Sequence, residues 1–255
     1  MHFLGDIHAD FDWWTKITSR GYCKSSIQLG DFGMGFLEKQ DSKRHFKEID
    51  GKKYSYHPAG VDSTKHKFIH GNHDDPVLCA KSPHFLGRYG YIEKLDLFYI
   101  SGAFSTDKDP QYGSRVCGGG GPYSPYVQSC DGCEHFDGCN LKVKTWIGRT
   151  EGENWWAGEQ LFNEELEKMV ALYEEAKPRI VVSHTCPSDV IKNFTSGRGR
   201  DLDRTGNFLS KAWSTYKPEH WLFGHIHNMQ SAVIDGTKFR CIGINQFYEI
   251  PDIDF

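Results

Sequence analysis

Seven residues of this chain have the chemistry to hold cations: Asp6, His8, Asp31, Asn72, His184, His225 and His227. They occur in short motifs, "GDIH" at 5–8, "GD" at 30–31, "GNHD" at 71–74, "SH" at 183–184 and "GHIH" at 224–227. Two carboxylates, one amide oxygen and four imidazoles suit divalent manganese, iron, zinc, cobalt or nickel, and not soft thiolate-selected ions. Seven ligands exceed what one first-row ion takes, but they fit two ions if one carboxylate bridges them. Two divalent cations outweigh two aspartates, so such a site attracts an anion, with phosphate the obvious candidate. Water held there has a lowered pKa and could attack phosphorus, while the ions offset charge on the phosphoryl oxygens. A single histidine of this kind is more often a satisfied polar residue than a ligand. Five motifs together are hard to explain by structure alone.

His73 follows Asn72 directly and is not needed to complete either ligand set. It could protonate the departing oxygen, with Asp74 fixing its tautomer and raising its pKa. The plainer alternative is a ring that only closes a tight turn.

These residues need elements to position them. Each motif ends an apolar segment: "HFLGD", "SIQLGD", "KFIHGN", "RIVVSH" and "HWLFGH". Runs apolar on both faces fit strands of a sheet covered by helices. Helical patterns lie between them. In "DFDWWTKITSRG", Asp10 or Asp12 offers a cap, Trp13, Trp14 and Ile17 share a face, and Gly21 is a stop. Over 156–177, Phe162, Leu166, Met169, Val170 and Tyr173 recur at helical spacing before Pro178. The tandem tryptophans at 13–14 and 155–156 read as core or rim packing. Alternating strands and helices give an α/β class, with ligands gathered where strands end.

The ordered motifs, from Asp6 to His227, resemble those of the calcineurin-like metallophosphoesterases. The resemblance implies a four-layer sandwich of two central mixed β-sheets flanked by helices. It also implies one ion on Asp6, His8, Asp31 and His227, and another on Asp31, Asn72, His184 and His225, with Asp31 bridging. His73 matches the family's general acid, and Asp74 its partner. "GDFG", "GAFSTDK" at 102–108 and "WWAGEQL" at 155–161 are similar to a group of small bacterial and phage-type members. The protein Ser/Thr phosphatases of this superfamily follow the second motif with Asp-Arg-Gly and write the third as Gly-Asn-His-Glu. Here Asp31 precedes "FGMGF" and the third motif ends in Asp74. Without that phosphate-gripping arginine, diesters or nucleotides are favoured over dianionic monoesters.

The expected function is therefore a phosphodiesterase acting on nucleotides or nucleic acid by attack of metal-activated hydroxide. The competing readings are a phosphomonoesterase for a phosphoprotein or small molecule, and a binding scaffold without catalysis. Arg198, Arg200 and Arg204 in "TSGRGRDLDR" at 195–204 could contact substrate phosphate, or could belong to a solvated loop neutralised by Asp201 and Asp203.

Cys117, Cys130, Cys133 and Cys139 are spaced so that four thiolates could close a structural zinc site. Disulfides, an iron–sulfur cluster and free thiols are the alternatives. A closed four-thiolate site leaves no position for substrate, so its work would be to stiffen the Cys/Gly-rich insertion at 109–154. Cys23, Cys79, Cys186 and Cys241 lie in apolar contexts and read as core thiols. The whole of 1–255 reads as a single domain around that insertion. A net charge of −4 with no basic block argues against an electrostatic duplex-DNA binder. No apolar run approaches the ~20 residues of a membrane span, and the first residues lack signal-peptide character. Cytoplasmic location, no membrane contact and no obligate protein partner are the matching expectations.

Overall fold

The computed structural model describes residues 1–19, 21, 23–35, 45–105, 151–152, 155–195, 203–251 and 253–255. The cysteine cluster, Arg198, Arg200 and nearly all of the 109–154 insertion lie outside them.

The five expected strands form as β1 (His2–Leu4), β2 (Ser26–Leu29), β5 (His66–Ile69), β8 (Ile180–Ser183) and β9 (His220–Phe223). The other strands are β3 (Phe46–Ile49), β4 (Lys52–Ser55), β6 (Tyr89–Ile92), β7 (Leu97–Ile100), β10 (Gln230–Ile234), β11 (Thr237–Cys241) and β12 (Phe247–Glu249). One sheet has the order β12-β1-β2-β5 and a second the order β10-β11-β9-β8-β7-β6, while β3 and β4 form a separate hairpin. In the first sheet β1, β2 and β5 run parallel and β12 antiparallel. In the second, β7, β8, β9 and β11 run parallel, with antiparallel β6 and β10 at the edges.

Side-chain alternation builds the layers, because successive residues of a strand face opposite sides. Phe3, Ile27 and Leu29 of the first sheet meet Leu97, Ile180, Val182 and Leu222 of the second in one core. On the far side of the first sheet, Leu4 and Phe68 pack with Phe11 and Trp14 of α1 (Phe11–Ser19) and Leu78 of α2 (Pro76–Ala80). On the far side of the second, Val181, Trp221 and Phe223 pack against α3 (Asn163–Ala176), α4 (Ser188–Ile191) and α5 (Arg204–Thr215). Helix, sheet, sheet, helix is the expected four-layer α/β sandwich. Burying each large apolar side chain stabilises it by roughly 1.5–3 kcal/mol, so both sheets are held on two faces and their strands read as continuous apolar runs.

α1 is capped by Asp10, whose carboxylate accepts the Trp13 N–H at 3.0 Å, while Asp12 is exposed and pairs with His45. The long helix starts later than its periodicity predicts. Ala157–Glu159 is a short 3-10 turn, and α3 begins at Asn163. Phe162 is 64% exposed, so it does not share the buried face of Leu166, Met169, Val170 and Tyr173. Its N–H instead donates to the Glu165 carboxylate at 3.0 Å, which makes it the entry to the helix. The helix ends at Lys177, in left-handed conformation with φ +47, just before Pro178. Cys23, Cys79, Cys186 and Cys241 are buried free thiols. Among the described residues no helix is long and apolar enough to cross a membrane.

Candidate metal centre

All seven proposed ligands lie on the loops that leave the C-terminal ends of β1, β2, β5, β8 and β9, where the two sheets face each other. Their donor atoms fall into two groups within 4.8 Å: Asp6, His8, Asp31 and His227, and Asp31, His184 and His225. Asp31 belongs to both. Asn72 joins the second group through its Oδ1, 3.0 Å from His184 Nε2.

The backbone at this junction is unusual. His8, Asp31, His225 and His227 all have positive φ, between +45 and +67. Asp and His tolerate the left-handed region better than most residues, yet each such conformation costs roughly 1–2 kcal/mol. Four in one place mark a site where geometry is imposed by purpose. The glycines that precede ligands have a steric reason. A Cβ on Gly71 would stand 2.2 Å from Asp31 Oδ1, and one on Gly224 would stand 2.1 Å from Asp6 Oδ1. The chain must pass there without a side chain.

The side chains are fixed from behind. His184 Nδ1 lies 2.8 Å from the Leu29 carbonyl and donates to it, which turns Nε2 toward Asn72 Oδ1 and toward Asp31 Oδ1 at 3.2 Å. A ring nitrogen facing two acceptor oxygens requires a cation between them, either a proton or a metal ion. The other group has the same character: His227 Nε2 is 3.0 Å from both Asp6 Oδ2 and His8 Nε2. Asp6 also accepts the His225 N–H at 3.1 Å, and Asp31 Oδ1 accepts the His73 N–H at 2.8 Å. Asp31 Oδ2 is buried and has no hydrogen-bond partner among the described residues. A buried carboxylate oxygen left open, among imidazoles, is the donor set a bridging carboxylate would offer to divalent ions.

The electrostatics agree. Burial raises the Asp31 carboxyl, but His184, His73 and His8 outweigh it and hold the group well below the usual carboxylate range. Burial would depress His184, yet Asp31 and then Asp6 reverse this and lift it to about 10. His227 is raised by its hydrogen bond to Asp6. Buried carboxylates thus favour positive charge among these imidazoles.

His73 stands at the rim, its ring 5.3 Å from that of His8 and its Nε2 4.0 Å from Asp31 Oδ2. Asp74, expected to partner this ring, has a structural role as well. Asp74 is fully buried and accepts four backbone N–H groups, from Phe32 (3.0 Å), Gly33 (2.6 Å), Met34 (2.9 Å) and Gly71 (2.8 Å). Four amides occupy both oxygens, so Asp74 clamps the loop after β2 to the loop after β5. Burial and the Asp31 charge push it up to about 6, against the pull of those amides. Arg204 opens α5, half-buried, and its Nε has no hydrogen-bond partner among the described residues.

Gln28 is a contributor that motif reading missed. Its buried amide donates to the Gly5 and Gly30 carbonyls and accepts the Gly30 N–H at 3.1 Å, tying together the turns that carry Asp6 and Asp31. A polar residue in the middle of the apolar "SIQLGD" was the available signal.

The family model for calcineurin-like phosphoesterases matches residues 2–229. The chain belongs to that family. It is accordingly a metal-dependent phosphoester hydrolase, and its two donor groups correspond to the pair of divalent ions that the family generally uses. No curated protein matches this member.

Proposed function

We propose that this phosphoesterase cleaves phosphodiester bonds, in nucleotides or nucleic acid, and that it does so with His73 as general acid. The observation that carries the diester reading is Phe32. In the protein phosphatases the position after the bridging aspartate holds an arginine for the phosphate. Here that residue is fully buried, its ring stacked on Phe68 with centroids 4.3 Å apart and edge-on to Phe11 and Trp14. Its side chain belongs to the core and gives no charge to the site. A dianionic monoester depends most on such a grip, and a diester, with one charge fewer, depends on it less.

When bound, two divalent ions would polarise the phosphoryl oxygens and supply a nucleophile by lowering the pKa of water. Asp6, His8, Asp31 and His227 would hold one, and Asp31, Asn72, His184 and His225 the other. The chain's own groups then do the positioning. The His73 N–H on Asp31 fixes His73 against the site, with its ring 5.3 Å from that of His8. As the water oxygen bonds to phosphorus and the ester P–O bond breaks, His73 gives its proton to the leaving oxygen. Manganese, iron, zinc, cobalt and nickel all suit these donors.

The test offers the purified enzyme matched chromogenic diester and monoester substrates, then cyclic nucleotides and single- and double-stranded nucleic acid. Diester turnover above monoester turnover is expected. Hydrolysis of monoesters alone would reverse the reading and favour a phosphatase.

A further inference from the structure

The segments "GAFS" (102–105) and "WWAGEQL" (155–161) carry none of the seven donors, yet they meet directly behind one half of the site. Gly102, at φ +90, lies against the Glu159 carbonyl, where an added Cβ would stand 2.2 Å from the oxygen. The Ser105 N–H donates to the Glu159 carboxylate at 3.1 Å, and Ser105 Oγ accepts Asn72 Nδ2 at 3.0 Å. An amide has two ends, and holding Nδ2 outward leaves Oδ1 facing His184 and the centre. From the residue after Glu159, Gln160 Nε2 donates to Asp203 Oδ1 at 3.2 Å. Asp203 Oδ2 in turn accepts Thr185 Oγ1 at 3.1 Å, and Thr185 adjoins His184. Every member of this chain of contacts is buried. Asp203 also caps α5 through the Gly206 N–H, so its carboxylate is engaged by this belt and the helix.

We infer that Ser105 and Asp203, joined through Glu159 and Gln160, are positioning residues that fix Asn72 and His184 as ligands of the second ion. The inference rests on the two-ion reading above. Without Ser105 the Asn72 amide is free to turn and present its NH₂ group, which cannot ligate a cation. Without the Thr185 hydroxyl, the loop carrying His184 loses its tie to Asp203. Groups that orient metal ligands typically carry a 10–100-fold share of metal affinity.

The test is titration of the chelated full-length protein with manganese(II), read by calorimetry and by electron paramagnetic resonance of the coupled pair. The apo melting temperature is recorded alongside. Wild type is expected to take two ions. Ser105→Ala and Thr185→Val should each weaken one of the two by about 10–100-fold, abolish the coupled spectrum and leave the other ion in place. Thr185→Ser, which keeps the hydroxyl, should restore wild-type binding. Two ions bound with wild-type affinity by both Ser105→Ala and Thr185→Val would overturn the inference and leave the two-ion reading standing. Equal weakening of both ions in step with a lowered apo melting temperature would also overturn it, since that is a purely structural role. Uptake of fewer than two ions by wild type would remove the two-ion reading and the inference with it. If Thr185→Val does not fold, Ser105→Ala decides alone.

Discussion

Gly71→Ala is the most demanding single-atom perturbation of this centre. The new Cβ would lie 2.2 Å from Asp31 Oδ1, 2.3 Å from the Asp31 nitrogen and 2.7 Å from His184 Nε2. Real Cβ contacts are essentially never below 3.0 Å, and one of the three neighbours here is backbone. Asp31 and the loop at Gly71 must therefore separate by nearly an ångström or more. Overpacking of this kind costs about 1–3 kcal/mol. The Gly71 N–H bond to the Asp74 carboxylate would be stretched or broken as well, costing about 1.5–3 kcal/mol. The sum is about 2.5–6 kcal/mol, a large part of the ~5–15 kcal/mol by which a domain is stable. For a chain of this size that lowers the melting temperature by roughly 5–24 °C. Asp31 is common to both donor groups, so both ions should be weakened. The assay is thermal unfolding of the apo protein with metal analysis of the purified variant. Gly60→Ala is the control, because nothing lies within 4 Å of a Cβ there and only its φ of +98 is strained. A Gly71→Ala protein with wild-type melting and full metal content would refute the steric argument.

His73→Ala should keep both ions and lose about 10²–10⁴-fold in turnover on a substrate with a poor, alkoxide leaving group; unchanged turnover on that substrate would remove the general-acid role. Asp74→Asn replaces one of two acceptor oxygens with a donor. It should lose about 3–6 kcal/mol through two unsatisfied amides, seen as a lower urea midpoint, and an unaltered midpoint would contradict the clamp. Burial lowers His57, His66 and His84, His57 to about 4 from an ordinary value of 6.5. With folded values below unfolded ones, the unfolded chain binds more protons in that window. The contribution of His57 is complete above about pH 6.5 and is lost as pH falls toward about 4, and those of His66 and His84 decline in the same direction. Urea midpoints that do not decline across this window would contradict it.

The half of the fold that carries the candidate donors is legible because strand ends and donors coincide: an apolar run, often a glycine, then a donor. The glycines carry as much information as the donors, since Gly71 and Gly224 stand where carboxylates leave no room for a side chain. Two hairpins went unread although their signal is local. Asp50-Gly51 and Asp235-Gly236 both have positive φ at each residue and join β3 to β4 and β10 to β11 by two-residue turns. The start of α3 was misplaced because Phe162 fits the helical period while the chain is still entering the helix. The role of Asp74 was hidden for a different reason. Its neighbour His73 is adjacent in sequence, but its four amide partners come from two loops that only the fold brings together. The same holds for Ser105, Glu159 and Asp203. Their value comes from long-range contacts that no spacing rule encodes.

The central claim is that one carboxylate, Asp31, is shared by two divalent ions. The direct measurement is manganese(II) titration of chelated wild type and Asp31→Asn, with phosphodiester hydrolysis followed through the titration. Wild type should bind about two ions per chain with activity appearing as the second site fills, and Asp31→Asn should weaken both and lose hydrolysis. Full two-ion occupancy in Asp31→Asn at wild-type affinity would contradict the shared carboxylate.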